Sequence, residues 1–221
     1  IVPNHYLVSK NMKNYFEKVN IAQHKLFGNS YVNSFRNNIK IMPMLYGDLN
    51  RCSKILLSDF LKSDHYVVFG SSFIKSKLAD FLIKKRAINI HAGVSPYYRG
   101  TDCNFWALYD NNPHLVGSTI HLLSKGLDNG PILYHAMSNI KNNPAEYKMS
   151  TIKSAFHSIV ERIKDESIFK IRPEIQDQSK EIRYSKKNQF NEQILKKYLK
   201  RKIKLDIKKF DNSLLKDPFY L

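Results

Sequence analysis

Hydrophobic and polar positions along this chain switch between two periods, and the switches mark its elements. Between residues 11 and 25, Tyr15, Phe16, Val19 and Ala22 recur at near-helical spacing, which predicts a helix. Residues 39–46 read as a strand closed by Gly47-Asp48, and residues 53–61 as a helix with Ile55, Leu56 and Phe60 on adjoining faces. The run His65-Tyr66-Val67-Val68-Phe69 has the continuous apolar character of a strand buried on both sides, and Gly70-Ser71-Ser72 ends it. A helix follows at 75–85, with Leu78, Phe81 and Leu82 inward, and then a short strand at 87–90. Two more strand-like runs, 116–123 and 131–137, flank the turn Gly126-Leu127-Asp128-Asn129-Gly130. The clearest helix spans 150–164, where Ile152, Ala155, Phe156, Ile159, Val160 and Ile163 make one apolar stripe. This alternation predicts an α/β fold around a central sheet, parallel at least through its centre. A doubly wound sheet usually opens with a strand and a glycine-rich turn. Here the first glycine is Gly28, so the first strand is expected to be missing or irregular.

Length narrows the organisation. With 221 residues the chain suits one domain and an appendage: residues 1–170 as the domain, its first 60 atypical, and residues 171–221 as a basic C-terminal segment. Hydrophobic residues make up 43%, which argues for a packed core and against disorder. The most apolar uncharged run, near residues 66–74, is about half the ~20 residues that a membrane span needs. The start Ile1-Val2-Pro3-Asn4-His5 has neither the basic flank nor the apolar run of a signal peptide. Two cysteines, Cys52 and Cys103, make no disulfide framework and no metal cluster, so a cytoplasmic protein without a metal is expected.

The formal charge of +17 first suggests a nucleic-acid partner. Its distribution weakens that suggestion. Residues 89–130 carry two bases and three acids, whereas the equally long stretch 180–221 carries 13 bases and five acids. The basic segment also has a helical stripe of Phe190, Ile194, Leu195, Tyr198 and Leu199, suited to packing on its own sheet or to a homodimer.

The candidate chemistry lies in the neutral stretch. In Ile88-Asn89-Ile90-His91, strand alternation points Asn89 and His91 the same way at a strand end, where open α/β sheets bind ligands. An amide donor beside an imidazole can polarise a carbonyl and move a proton. Taken singly, such a histidine is more often a packed core residue, and Asp128-Asn129-Gly130 is an ordinary turn sequence. Further segments follow in order: Pro96-Tyr97-Tyr98-Arg99-Gly100, Phe105-Trp106-Ala107-Leu108, Gly117-Ser118-Thr119-Ile120-His121 and Gly126-Leu127-Asp128-Asn129-Gly130-Pro131-Ile132.

In this order and spacing the segments resemble the 10-formyltetrahydrofolate-dependent formyltransferases, a family that includes glycinamide ribonucleotide, methionyl-tRNA and nucleotide-sugar enzymes. The resemblance covers residues 66–137 and extends to 169. It implies a Rossmann-like formyltransferase fold with a mostly parallel sheet, and a catalytic Asn89, His91 and Asp128. It also implies a folate site formed by Phe69, Gly70, Ser71, Ser72, Phe73 and Ile74 on one side and by Ser124, Lys125, Gly126 and Leu127 on the other. His121, Thr119, Tyr98, Arg99, Gly100 and Trp106 fall into secondary or substrate-side places, with Arg99 expected to fix a loop and Trp106 to be core or pocket wall. Two departures stand out: His91-Ala92-Gly93 replaces the usual His-Pro-Ser, and Cys103 stands where a proline is common. Losing a proline and gaining a glycine is expected to loosen that loop.

Three acceptor amines compete. The tRNA enzymes carry a further β-barrel domain, for which the Lys-rich residues after 170 are a poor match. The glycinamide ribonucleotide enzyme has a phosphate-binding glycine-rich turn near its start, which is not seen here. A nucleotide-linked amino sugar destined for a surface polysaccharide is the remaining expectation. The rival reading is a non-catalytic, basic nucleic-acid-binding protein on the same scaffold.

Overall fold

A computed structural model describes residues 9–28, 39–53, 55–201 and 212–221. Helix α1 (Lys10–Phe27) begins where the Ser9 hydroxyl accepts from the Met12 N–H, and it ends at Gly28, whose φ of 65° suits glycine. The strand expected at 39–46 is not formed. Residues 39–45 are irregular, and Leu45 and Tyr46 are 79% and 80% exposed. Pro43 removes a ladder donor there, and no neighbouring strand is present to pair with. The expected helix at 53–61 is replaced by turns and one 3-10 turn, Phe60–Lys62; Lys54 lies outside the described residues. Its apolar residues are adjacent rather than spaced, so only Leu57 is buried while Ile55 and Leu56 face solvent.

From there the expected alternation appears. Strand β1 (Val67–Phe69), helix α2 (Ser76–Lys84) and strand β2 (Ile88–His91) form a crossover unit, with β1 and β2 parallel. Strand β3 (Tyr98–Gly100), helix α3 (Cys103–Tyr109), strand β4 (Ser118–Leu122) and strand β5 (Ile132–Met137) follow. The long helix α4 (Pro144–Lys164) starts six residues before the expected position because Asn143 caps it, accepting from the Ala145 and Glu146 N–H groups, and proline occupies its first turn. It buries Ala155 and Ile159 together with small polar residues, whereas Val160 of the expected stripe is 48% exposed.

The main sheet runs β1-β2-β4-β5-β7, where β7 is Phe219–Tyr220. The pairing is mixed: parallel at β1–β2 and β5–β7, antiparallel at β2–β4 and β4–β5. Only nine residues, 123–131, join β4 to β5, too few for a parallel crossover. Helix α4 covers one face through a cluster around Ile120, Tyr134 and Ile159. A second cluster gathers Phe105, Trp106 and Tyr147.

The described residues after 170, 171–201 and 212–221, pack back onto this body. Strand β6 (Arg183–Ser185) pairs with β3, and helix α5 (Glu192–Lys200) inserts Leu195 and Tyr198 into the Phe105 cluster beside α1. Much of the amphipathic stripe weighed for dimerisation is therefore covered by the chain's own core.

Candidate active site

Asn89 and His91 sit at the end of β2, opposite His121 and Thr119 of β4. The Asn89 amide nitrogen lies 2.9 Å from His121 Nε2. Its direction is set on the far side of the ring, where His121 Nδ1 lies 2.8 Å from the Leu122 carbonyl and must donate. Nε2 is then the lone-pair nitrogen, and Asn89 donates to it. Burial, the largest influence, pushes the His121 pKa down to about 4, which keeps this ring neutral. One N–H of Asn89 is thus fixed, and its second is aimed elsewhere in the cleft.

His91 is oriented from both ends. Nε2 lies 3.0 Å from the Tyr98 carbonyl, and Nδ1 lies 3.4 Å from Asp128 Oδ2. Both neighbours are acceptors, so a ring with a proton on each nitrogen satisfies both contacts. The Gly100 N–H reaches the same carboxylate oxygen at 3.3 Å. Asp128 adopts φ 50°, a left-handed conformation that short polar residues tolerate. That conformation is clamped: Gln176 Nε2 donates to the Asp128 carbonyl at 2.9 Å and to the Gly130 carbonyl at 2.8 Å, and Arg99 donates to the Leu127 carbonyl at 3.1 Å while paired with Glu181.

Two glycines permit these approaches. A Cβ on Gly130 would stand 1.8 Å from the Leu122 carbonyl oxygen and 2.8 Å from His121 Nδ1. A Cβ on Gly93 would meet the Cys103 Cβ at 2.4 Å and His91 Nε2 at 2.6 Å. The loop expected to be loosened by the Gly93 and Cys103 replacements is instead packed tight. The Thr119 hydroxyl donates to the Gly93 carbonyl at 2.6 Å and accepts from the Ser95 N–H at 2.8 Å. The glycine makes room for the cysteine, whose buried thiol has its pKa pushed up.

These residues floor a cleft of about 600 Å³. Phe69, Gly70, Ser71, Ser72, Phe73 and Ile74 form one side, with Ser124, Gly126 and Leu127 beside them. Lys125, grouped with them from sequence, points away and pairs with Asp80 at 3.3 Å. Gly100 and His121 line the cleft; Thr119, Tyr98 and Arg99 stand behind it as supports, and Trp106 lies in the core with Arg183 over its ring. Among the described residues, no group of three His, Cys, Asp or Glu side chains is placed to hold a metal ion.

Sequence reasoning missed four contributors. Tyr15 of α1 and Lys148 of α4 line the cleft together with the glycine-containing loop, Asn50 braces that loop, and Gln176 clamps Asp128. Lys148 is buried, its Nζ donates to the Tyr15 hydroxyl, and it sits 4.7 Å from the Tyr15 ring centre. Burial pulls its pKa down. Lys148 precedes the helix expected at 150–164, Tyr15 read as an apolar position of its own helix, and Asn50 and Gln176 are single polar residues in segments without a pattern.

Comparison with known proteins gives concordant results. Residues 64–163 match the model of the formyl transferase family. A sugar N-formyltransferase from Shewanella is 17% identical over 82% of this chain and 75% of its own, with a TM-score of 0.51. A 4-N formyltransferase from Francisella tularensis is 17% identical over 80% of this chain and 74% of its own, with a TM-score of 0.50. The formyltransferase PseJ from Anoxybacillus kamchatkensis, solved with a UDP-linked formamido sugar and tetrahydrofolate, is 28% identical over 58% of this chain and 67% of its own, with a TM-score of 0.47. The chain shares the α/β, Rossmann-like formyltransferase fold of the first two.

Proposed function

We propose, from the match of residues 64–163 to the formyl transferase family model, that the chain transfers a formyl group from 10-formyltetrahydrofolate to a primary amine on a nucleotide-linked amino sugar. The observation that carries this reading is the oriented pair on the cleft floor: Asn89 fixed by a neutral His121, and His91 held between the Tyr98 carbonyl and Asp128.

The roles follow from the geometry. Asn89 presents its second N–H to the formyl oxygen as negative charge builds there, and His91 presents its Nε2–H once that oxygen replaces the Tyr98 carbonyl as the proton's acceptor. Each well-placed donor is worth roughly 3 kcal/mol. Asp128 stabilises the charged His91 ring and accepts, directly or through water, the proton that the attacking amine loses. The amine nitrogen gains the formyl carbon, the bond from that carbon to N10 breaks, and the proton ends on N10. The loop at 69–74 and the turn at 124–127 fit a flat pterin between backbone groups, with the apolar sides of Phe69, Phe73 and Leu127 exposed for contact. The amino-sugar part is supported by the fold shared with the Shewanella sugar N-formyltransferase, which extends over 82% of the chain, beyond the segment carrying the motifs.

The test is a panel of acceptors with 10-formyltetrahydrofolate: nucleotide amino sugars, charged tRNA and glycinamide ribonucleotide. Tetrahydrofolate release with at least one amino sugar is expected. Turnover only with tRNA, or salt-sensitive tRNA binding without any turnover, would sink the sugar assignment.

A further inference from the structure

Lys148 stands apart from the chain's other cations. Among the described residues that line the cleft it is the one lysine or arginine, although the chain as a whole is strongly basic. It is only 7% exposed, and no carboxylate of the described residues lies within 4 Å of its Nζ. Its near neighbours are hydroxyls and rings. The Tyr15 hydroxyl, whose pKa burial raises, takes one Nζ proton and keeps its own. The Tyr198 hydroxyl, likewise buried and close enough to feel the lysine charge, has no hydrogen-bond partner among the described residues. Lys148 feels the charge of Asp102, but the two form no ion pair. The Phe105 and Tyr15 rings lie within reach of the ammonium. An ammonium with one neutral acceptor, open to a cleft, lacks the contacting anion that a ligand can bring.

We propose that Lys148 and Tyr15 form the anion-binding end of the cleft and take a phosphate-class oxyanion carried by the acceptor. Calling the ligand the acceptor rests on the formyl-transfer reading; the anion site does not. Lys148 and Tyr15 line the same cleft as Asn89, His91 and the loop at 69–74, so an anion held by them belongs to a molecule that shares the cleft with the formyl donor. Folate carries carboxylates, which are the other source of the same chemistry.

Calorimetric titration separates these sources. The wild type, Lys148→Met, Lys148→Arg and Tyr15→Phe are each titrated with inorganic pyrophosphate and, separately, with tetrahydrofolate. The expected result is pyrophosphate binding by the wild type, weakened at least tenfold by Lys148→Met, a few-fold by Tyr15→Phe, and largely kept by Lys148→Arg. Tetrahydrofolate affinity should stay the same in all four. A purely structural lysine would instead lower the thermal midpoint and leave any pyrophosphate affinity unchanged, which overturns the proposal, as does a wild type that binds no pyrophosphate. Loss confined to tetrahydrofolate in Lys148→Met would hand the site to the folate carboxylates and overturn the acceptor assignment. A wild type that binds pyrophosphate but not tetrahydrofolate would sink the formyl-transfer reading and leave the anion site standing. Should Lys148→Met fail to fold, Lys148→Gln removes the charge while keeping a donor for Tyr15, and the same expectations apply.

Discussion

The floor of the cleft and its 69–74 side are built on opposite terms. On the floor, His91, Thr119 and His121 are buried, and each is held through two directed contacts to its surroundings. Along the side, Phe69 and Phe73 are 42% and 43% exposed; Phe69 rests edge-on against Phe156, and Asn50 from a surface turn donates to the Phe73 carbonyl and accepts from the Lys75 N–H, both at 2.8 Å. The difference matches what each region is asked to do. Charge developing on one oxygen demands donors fixed to a fraction of an ångström, whereas a flat ring held by backbone groups tolerates a side that adjusts.

The contrast can be broken from the floor upward. His91→Ala should lower turnover by about 10³-fold while the protein stays folded, because a donor to the oxyanion and the partner that orients Asp128 are both lost. Unchanged turnover in a steady-state assay would remove His91 from the reaction. Acid should weaken the floor next. His121 and His135 are neutral when folded, each with its pKa pushed by burial to about 4, but both take a proton near pH 6.5 once unfolded. Their stabilising contribution is fully present above pH 6.5 and is lost as pH falls toward 4. It is on the order of 3 kcal/mol for each ring. Urea midpoints at pH 7, 5.5 and 4.5 would show the decline, and flat midpoints would contradict it. His121→Phe keeps a ring but removes the acceptor that orients Asn89, so kcat should drop on the order of 10²-fold with little change in the KM for folate. On the side, Asn50→Ala should be mild: a several-fold rise in folate KM, kcat nearly kept, and about 1 kcal/mol of stability lost in denaturant titration. A larger kcat effect from Asn50 than from His121 would invert the comparison.

What could be read in advance divides along the same line. Strands that bury both faces leave a strong apolar signature, so β2, β4 and β5 and the residues they carry were legible; β1 forms as expected, but with Val67 and Phe69 45% and 42% exposed it is not buried on both sides. Asn89, His91 and Asp128 could be grouped because spaced motifs fix their order along the chain. The supports were not legible, because a clamp such as Gln176 is one amide in an irregular segment, and its partners are carbonyls that any residue has. Tyr15 looked like one more apolar position on a helix, and only its packing beside Lys148 gives the hydroxyl a meaning. Residues 39–46 and 53–61 misled for a related reason: local periodicity promised strand and helix, but neither found an element to pack against.

Gln176 has a consequence for how the molecule is made. Its side chain locks the Asp128 turn from 48 residues further along the chain, and Lys148 meets its tyrosine across 133 residues. The motif-bearing stretch leaves a ribosome well before either contact can close. Long-range contacts of this kind form late, so a nascent chain carries every reacting group yet stays inert until synthesis has passed them by. Reactivity then arrives as a single late event, timed by the completion of folding.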